Sequence, residues 1–309
     1  MQEPWHRYLH LGIVHFMAFP AVLRGEGPVV ETLRQIATDP FFAAVEVGWV
    51  NDPSERAAAA ALLRESHLRV GFGAQSALLV TKSNLNALEE GERRKAVALV
   101  QKCIDQAAEL GAGRVAVLSG PYPGAADEAR ARRSLVESLL DLCAYGRPKG
   151  IEITLETFDR TVEKKALAGP TRLCVEISEA VRRDFPGFGL MLDLSHIPLL
   201  GEGIRECLTT GRDHLVHAHI GNCVMRDPAH PAYGDQHPRF GIAGGENDTP
   251  EVLEYLRVLF DIGFLGGAAR PFLSFEVKPL PQETAAAVIG GAKRVFQDAW
   301  AQLSGGSAR

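Results

Sequence analysis

The sequence is poor in cysteine, and its cysteines do not form the pairs that hold zinc or make a redox centre. Five are spread over 309 residues, and none belongs to a CxxC motif. They are Cys103, Cys143, Cys174, Cys207 and Cys223. Single, scattered cysteines are typical of reduced thiols in a protein of a reducing compartment. The pattern therefore predicts a cytoplasmic protein with mostly buried, unpaired thiols.

Long apolar runs, a leader sequence and an excess of basic charge are also absent. No apolar stretch approaches the ~20 residues that cross a bilayer, and the start, MQEPWHRYLHLGIVHF, has no basic segment followed by an apolar one. The formal net charge of -5 argues against nucleic acid, because phosphate binding needs a basic face. With 46% hydrophobic residues, the composition is that of a soluble globular protein. Neither membrane nor nucleic acid is predicted as a partner.

Eight short apolar runs alternate with segments of helical period, which predicts an α/β fold with a parallel sheet. The predicted strands are Leu9–Val14, Ala43–Val47, Arg69–Ala74, Arg114–Leu118, Ile151–Leu155, Gly189–Leu192, Leu215–Ile220 and Phe272–Val277. The predicted helices are Val29–Ala37, Pro53–Ser66, Ala87–Leu110, Ala125–Tyr145, Pro170–Asp184, Ile204–Thr210, Pro250–Asp261 and Glu283–Leu303.

Eight such units predict a closed (β/α)8 TIM barrel. An open, doubly wound sheet is the alternative, and it would be expected to carry a glycine-rich turn after the first strand. That turn reads HFMAFPAVLRGEG, with neither GxGxxG nor a P-loop. We therefore predict residues 1–309 to be a single TIM-barrel domain with a long loop after strand 7 and a flexible tail at residues 304–309.

Four polar residues end the last four predicted strands. In TIM barrels the active site lies at these carboxyl-terminal strand ends. The four residues are Glu156, Asp193, His219 and Glu276. A carboxylate that follows a buried strand is costly unless it is paired or bound to a cation. Each residue alone suits a helix cap, an ion pair or a core histidine, but four at equivalent positions predict a shared metal ion. Three carboxylates and one imidazole suit Mn²⁺, Mg²⁺ or Co²⁺, with Zn²⁺ as an alternative.

Other candidate residues surround this set. His217 points to the same strand face as His219. We predict that His217 is not itself a ligand but either supports the ligands or fills a layer of side chains inside the barrel.

His15 ends the first strand beside Phe16, while Glu46 and Trp49 end the second. His15 is predicted either to bind a substrate hydroxyl or to pack under the loops. The long segment of residues 215–248 is predicted to be a functional loop, since loops of that length are commonly functional or disordered.

These motifs together resemble the xylose-isomerase-like barrel superfamily of sugar isomerases and epimerases, which also includes endonuclease IV nucleases. The resemblance covers about residues 9–303. It rests on four motifs, which are LET (Glu156), DLSH (Asp193, His196), HAHIGN (His217, His219) and FEVKP (Glu276). It implies one Mn²⁺-like ion held by Glu156, Asp193, His219 and Glu276. It also implies that His196 binds a substrate oxygen. Pairing through barrel helices is common in relatives, so the resemblance leaves a homo-oligomer open.

The chain departs from the nuclease branch of that superfamily. Endonuclease IV holds three zinc ions and needs additional histidines after strands three and four, where this sequence has Gln75 and Ser119. Asp235 and His237 nevertheless resemble a D-x-H motif that the nuclease uses for its third metal. We favour a role for this pair in ordering the loop or contacting substrate. The alternative is a second ion shared with His196. The missing histidines and the acidic charge disfavour a nuclease.

The implied chemistry is proton transfer through a metal-stabilised enediolate. Glu156 and Glu276 are the predicted bases: return of the proton to the neighbouring carbon gives an isomerase, and return to the other face gives an epimerase. Arg226 and Lys278 are predicted to contact substrate or to be solvated. The substrate is predicted to be a small sugar or hydroxycarbonyl. The alternatives are a lyase, dehydratase or C-glycoside-cleaving enzyme with the same metal and bases, and a sugar-binding barrel without activity.

Overall fold

Eight parallel strands supply the sheet that the alternating pattern predicts. The computed structural model describes residues 3–303, and the predicted tail at residues 304–309 lies outside them. The strands are β1 (His10–Ile13), β2 (Ala44–Val47), β3 (Arg69–Gly73), β4 (Arg114–Val117), β5 (Glu152–Glu156), β6 (Gly189–Asp193), β7 (Leu215–Gly221) and β8 (Phe272–Glu276). Their order in the sheet is β1-β8-β7-β6-β5-β4-β3-β2, so strands consecutive in sequence are neighbours. The predicted TIM barrel is confirmed.

Helices follow every strand and cover the outside of the barrel. They are α1 (His15–Ala18), α2 (Val29–Ala37), α3 (Pro53–Ser66), α4 (Gln75–Thr81), α5 (Glu90–Leu110), α6 (Glu128–Gly146), α7 (Thr171–Arg182), α8 (His196–Leu200), α9 (Ile204–Gly211), α10 (Thr249–Asp261) and α11 (Ala285–Gln302). The sequence analysis missed α1, α4 and α8. Each has seven residues or fewer, which is too short for a helical period to stand out.

The barrel closes by a seam between β1 and β2 that has few backbone hydrogen bonds. β1 pairs with β8 over four residues, but β1 and β2 are joined outside the ladders by the Val14–Glu46 bridge and by the Ala43 amide, which donates to the Leu11 carbonyl over 2.8 Å. Gly12 lies at this crowded place. A Cβ atom there would lie 2.7 Å from Ser274 Oγ and 3.0 Å from Ala44 Cβ, so only glycine lets the strands approach this closely.

The long loop after β7 is confirmed and has an ordered base. Residues 222–248 contain no helix and no strand beyond isolated bridges. The Asn222 side chain accepts the backbone amides of Cys223 and Asn247 over 2.9 and 2.8 Å. Asn247 in turn donates to the carbonyls of Leu194 and Gly221 over 3.1 and 3.0 Å. Side-chain amides therefore satisfy backbone groups that a buried loop leaves without sheet partners.

Burial of the helix faces against the strands forms the core. Helix α10, for example, buries Val252, Tyr255 and Leu259, and the Tyr255 hydroxyl donates to the Leu192 carbonyl over 2.7 Å. All five cysteines lie within the described residues; they are buried, as predicted, and free of disulfides. Between residues 3 and 303, no helix is both long and apolar enough to span a bilayer.

Helix α10 follows the long loop directly, and its start gives a test of how the loop is anchored. The Asp248 side chain caps the helix, and the Glu251 side chain accepts the Asp248 amide over 2.9 Å, which completes a capping box. We expect Asp248→Ala to lower the free energy of unfolding by about 1 kcal/mol, because a helix amide loses its acceptor. Urea unfolding followed by circular dichroism measures the change.

The matched control is Glu254→Ala, which removes an exposed carboxylate from the same helix. We expect that substitution to change stability by less than about 0.5 kcal/mol. Equal losses in the two variants would show that the cap does not anchor the helix.

Candidate active site

The four predicted metal ligands converge at the carboxyl ends of their strands. Glu156, Asp193, His219 and Glu276 each offer a ligand atom, and these atoms lie within 4.8 Å of one another. His219 Nδ1 is 2.7 Å from Glu276 Oε2, 3.7 Å from Glu156 Oε1 and 3.7 Å from Asp193 Oδ2. Three carboxylates therefore surround one imidazole nitrogen.

A bulge in β7 brings His219 level with Asp193. Leu190 of β6 pairs with Leu215 of β7, but the next residue, Met191, pairs with His217, so one residue of β7 is left over. Because side chains alternate along a strand, this extra residue decides which residues of β7 face the barrel interior beside Asp193. The bulge sets His219 directly opposite Asp193.

Gly189 makes room for the bulge. A Cβ atom on Gly189 would lie 2.4 Å from Val216 Cγ1 and 2.7 Å from the His214 carbonyl oxygen. Any larger side chain at the start of β6 would displace the extra residue, Val216. The register of the site thus depends on a glycine four residues before its aspartate ligand.

Glu46 on β2 holds both inward-facing histidines of β7. Its Oε1 atom is 2.9 Å from His219 Nε2 and 2.8 Å from His217 Nε2. The Nε2–H group of His219 donates to this carboxylate, which leaves Nδ1 directed at the other ligands. A carboxylate on the far nitrogen fixes the orientation of a metal-binding imidazole and raises its basicity. His217 thus lies next to the ligand set, where the sequence analysis predicted it.

The cluster fits a divalent cation. Glu156 Oε1 and Asp193 Oδ2 are buried oxygens without a hydrogen-bond partner. The other oxygen of each group is held by protein, since Gln75 Nε2 donates to Glu156 Oε2 over 2.7 Å and the Ser195 amide donates to Asp193 Oδ1 over 2.6 Å. Each carboxylate is thus fixed by one oxygen and presents the other to the cluster. Two buried carboxyl oxygens without a partner are costly, and a cation bound to them removes that cost.

Burial and charge repulsion also shape the protonation of the cluster. Burial, together with the negative charge of Glu276, raises the pKa of Glu156 to about 8. Burial alone would lower the pKa of His219, but the Glu46 carboxylate, the nearby Asp193 carboxylate and hydrogen bonds with Glu276 and Glu46 outweigh it and raise that pKa well above its ordinary value. Without a metal, protons therefore compensate part of the negative charge. A cation at these four side chains would replace them.

A cavity of about 360 Å³ opens onto this cluster. Its polar lining includes Glu156, His219 and Glu276 together with His237 and Lys278. Its apolar lining consists of Val14, Phe16, Met17, Leu23, Leu79 and Phe158. This volume is at the lower end of small-molecule sites. A ligand bound there would meet both the cluster and apolar side chains.

The D-x-H pair and His196 form a second polar group beside the first. Asp235 Oδ1 lies 2.8 Å from His237 Nε2 and 3.0 Å from His196 Nε2. His196 Nδ1 donates to the Thr157 carbonyl over 2.6 Å. His237 has a φ of 49°, in the left-handed region that non-glycine residues rarely adopt, so its neighbours must hold it there. The structure thus brings the loop after β7 into contact with the loops after β5 and β6.

Two predicted substrate contacts, His15 and Arg226, lie away from the cavity. The His15 ring is buried, with Nε2 2.8 Å from Thr32 Oγ1 and its plane tilted against Phe19, so packing under the loops describes it better than binding a hydroxyl. The Arg226 side chain is 81% exposed and donates to Glu246 Oε2 over 2.7 Å. His15 follows β1 as the first residue of a short helix, and its ring contacts Thr32 on α2.

The sequence analysis missed three residues that contact the site. Glu46 was noted at a strand end but was not linked to the histidines, although it ends an apolar run just as the four ligands do. Gln75 was treated as a missing histidine, yet it orients Glu156. Lys164 lies in the loop after β5, and its Nζ atom is 3.2 Å from Asp235 Oδ2. No pattern in the sequence indicates Lys164, because the contact depends on how two loops meet.

The structure defines the class of the protein as a closed (β/α)8 barrel with a candidate metal site, made of carboxylates and an imidazole, at the carboxyl ends of its strands. Within that class, the family described as the xylose isomerase-like TIM barrel matches residues 38–284, which is most of the chain. The chain belongs to this family, as its motifs suggested. No curated protein matches the sequence.

Solved structures share the fold at low sequence identity. The IolI protein, solved with a bound zinc atom, superposes with a TM-score of 0.72 at 17% identity, covering 96% of this chain and 100% of that one. A D-tagatose 3-epimerase-like protein gives 0.71 at 18% identity, covering 96% and 100%. The D-psicose 3-epimerase of Clostridium cellulolyticum H10 gives 0.66 at 17% identity, covering 96% and 98%. At such identities these likenesses establish the fold.

The contact of Glu46 with His219 can be tested by metal binding. We expect Glu46→Ala to weaken Mn²⁺ binding by about 10- to 100-fold, because His219 loses the carboxylate that orients it. Isothermal titration calorimetry measures the dissociation constant. Glu46→Gln keeps an oxygen that can accept the Nε2–H group and should lose less. An unchanged affinity in Glu46→Ala would rule out this orienting role.

The protonation of the cluster predicts a pH dependence of metal binding. Glu156 carries a proton below about pH 8 in the absence of metal, since its pKa is raised to about 8. A cation that binds Glu156 has to displace this proton, so affinity should rise with pH up to about 8, by at most about tenfold per unit for each proton released. Titrations with Mn²⁺ between pH 6 and 8 measure the slope. A constant affinity over that range would contradict the protonation assigned to Glu156.

Proposed function

We propose that this chain is a divalent-metal-dependent sugar isomerase or epimerase that moves a proton on a substrate carbon. The observation that carries the proposal is the presence of two glutamates at one candidate ion site. Glu156 Oε1 and Glu276 Oε2 lie 3.7 and 2.7 Å from the same atom, His219 Nδ1, and both residues line the cavity. The fold relatives named as D-psicose and D-tagatose 3-epimerases support the same class of substrate.

Glu156, Asp193, His219 and Glu276 would hold the ion. When bound, the ion stabilises negative charge on the substrate oxygen beside the reacting carbon. Mn²⁺ is the preferred candidate on the basis of three oxygen donors and one nitrogen, with Mg²⁺, Co²⁺ and Zn²⁺ as alternatives. The zinc atom in the related IolI structure supports a metal at this place in the fold without deciding its identity.

The two glutamates divide the proton transfer between them. One carboxylate removes the proton from the carbon next to the carbonyl, and the electron pair moves onto the oxygen to give an enediolate. In epimerisation the other glutamate, which has to carry a proton at this point, delivers it to the opposite face of the same carbon. In isomerisation the first glutamate delivers its proton to the former carbonyl carbon, while the hydroxyl proton passes to the former carbonyl oxygen and a new carbonyl forms at the carbon that lost its proton.

Side chains on the cavity walls position the substrate. His237 and Lys278 line the cavity and would donate hydrogen bonds to substrate oxygens. Phe16 and Phe158 also line it and would pack against the C–H face of a sugar. His196 is buried beneath the loops, and it would reach substrate only through the group it forms with Asp235 and His237.

The test combines metal analysis with proton exchange. Protein purified without chelator should contain about one divalent transition-metal ion per chain. Incubation with Mn²⁺ and a panel of ketopentoses and ketohexoses in D2O should place deuterium on the carbon beside the carbonyl of product. We expect Glu276→Gln to lower kcat by about 10²- to 10⁴-fold, the usual contribution of a general base. NMR of the sugars measures both exchange and turnover.

Glu254→Gln, which neutralises an exposed carboxylate on α10, is the matched control and should retain full activity. Turnover of Glu276→Gln near that of the wild type would remove Glu276 from its role as a base. Release of water or of an aglycone from a suitable substrate, without exchange into the retained sugar, would replace the isomerase by a lyase that uses the same carboxylates.

A further inference from the structure

A second set of metal-ligating side chains lies beside the first. Asp193, His196 and His237 are all buried and bring ligand atoms within 4.8 Å of one another. Asp235 is in contact with both imidazoles, since its Oδ1 atom is 3.0 Å from His196 Nε2 and 2.8 Å from His237 Nε2. By chemistry alone, two imidazoles and two carboxylates are a ligand set for a second divalent ion.

A protein ammonium group already accompanies this second set. Lys164 Nζ lies 3.2 Å from Asp235 Oδ2, 3.2 Å from the Asp235 carbonyl oxygen and 2.8 Å from Glu163 Oε1. Its side chain is only 17% exposed. The carboxylate that joins the two histidines thus has a cation of its own, and that cation comes from the loop after β5.

The surrounding backbone fixes Lys164 in this position. The Asp159 side chain accepts the amides of residues 162, 163 and 164 over 2.6, 2.8 and 2.7 Å, which holds the loop in one tight turn. Glu163 accepts the Asp235 amide and the Gln236 side-chain amide, each over 2.7 Å. The loops after β5 and β7 are therefore tied together on both sides of the ammonium group, so it is not a freely moving surface lysine.

We propose that Lys164 is a built-in cation that takes the place of a second metal ion. It neutralises Asp235 and keeps that carboxylate as the partner of His196 and His237. A divalent ion at the same carboxylate would meet the repulsion of a fixed, half-buried positive charge. The proposal rests on the proposed function in one respect: it takes the first ion to be held by Glu156, Asp193, His219 and Glu276.

One ion instead of two limits the chemistry of the site. Paired metal ions stabilise both the attacking and the leaving oxygen in hydrolysis of phosphate esters. With an ammonium group in place of the second ion, the leaving oxygen would have no metal beside it. Proton transfer at carbon needs charge stabilisation on a single substrate oxygen, which one ion supplies. Lys164 would thereby restrict this barrel to reactions of the second kind.

The experiment counts metal ions in the wild type and in Lys164→Met. Each protein is stripped with chelator, loaded with Zn²⁺ alone and dialysed, and its metal content is measured by mass spectrometry. A parallel loading with Mn²⁺ is followed by electron paramagnetic resonance, where two neighbouring ions broaden each other's signal. We expect one ion per chain in the wild type and two in Lys164→Met, with spin coupling in the variant only.

Two further variants separate charge from shape. Lys165→Met removes the neighbouring exposed lysine and should still bind one ion. Lys164→Arg keeps the positive charge and should also bind one. If Lys164→Met does not fold, as judged by circular dichroism, Lys164→Gln is used for the same measurement, because it removes the charge and keeps a polar side chain.

Each result has a distinct meaning. Two ions in the wild type, or one ion in folded Lys164→Met and Lys164→Gln, would overturn the role of Lys164. A wild type that binds no ion would refute the proposed function, since the first site itself would then be absent. One ion in the wild type and two in the uncharged variant would support the proposal.

Discussion

The structure of the site depends on the burial of three carboxylates around a single imidazole nitrogen. Such a cluster is unfavourable by itself, because desolvation and mutual repulsion both oppose ionisation of the acids. The protein opposes this cost with oriented donors: Gln75 fixes one carboxylate, the Ser195 amide fixes another, and Glu46 orients the imidazole from behind. The oxygens left free are those that face the centre of the cluster. The surroundings thus prepare the cluster for a cation.

The architecture and the convergence of the four candidate ligands were predictable from the sequence because both follow from one rule. Strands of a parallel barrel all end at the same face. A polar residue that ends an apolar run is therefore expected to lie at that face. Glu156, Asp193 and Glu276 are the last residues of their strands, as that rule requires. Glu46 lies one residue before the end of β2, so the rule would have indicated it only if extended by one position.

Other parts of the site depend on contacts that a linear pattern does not contain. His15 ends the first apolar run, yet a short helix begins there and directs its ring toward Thr32. The Lys164–Asp235 contact joins residues 71 positions apart in two irregular loops. Such contacts arise from loop packing, where neither strand alternation nor helical period applies. The bulge at Val216 also leaves no mark in the sequence except the small residue, Gly189, that tolerates it.

The weak seam between β1 and β2 has a consequence for the working lifetime of the site. Backbone ladders hold every other pair of neighbouring strands, whereas β2 is also tied to β7 across the barrel interior by the Glu46 carboxylate. If the β1–β2 seam opened transiently, Glu46 would move away from His219. Local opening of the barrel and loss of the carboxylate that orients His219 would then occur together. A cation held by residues of β5 to β8 would add no contact to β2, which would still depend on its ladder with β3, the seam contacts and the Glu46 hydrogen bonds.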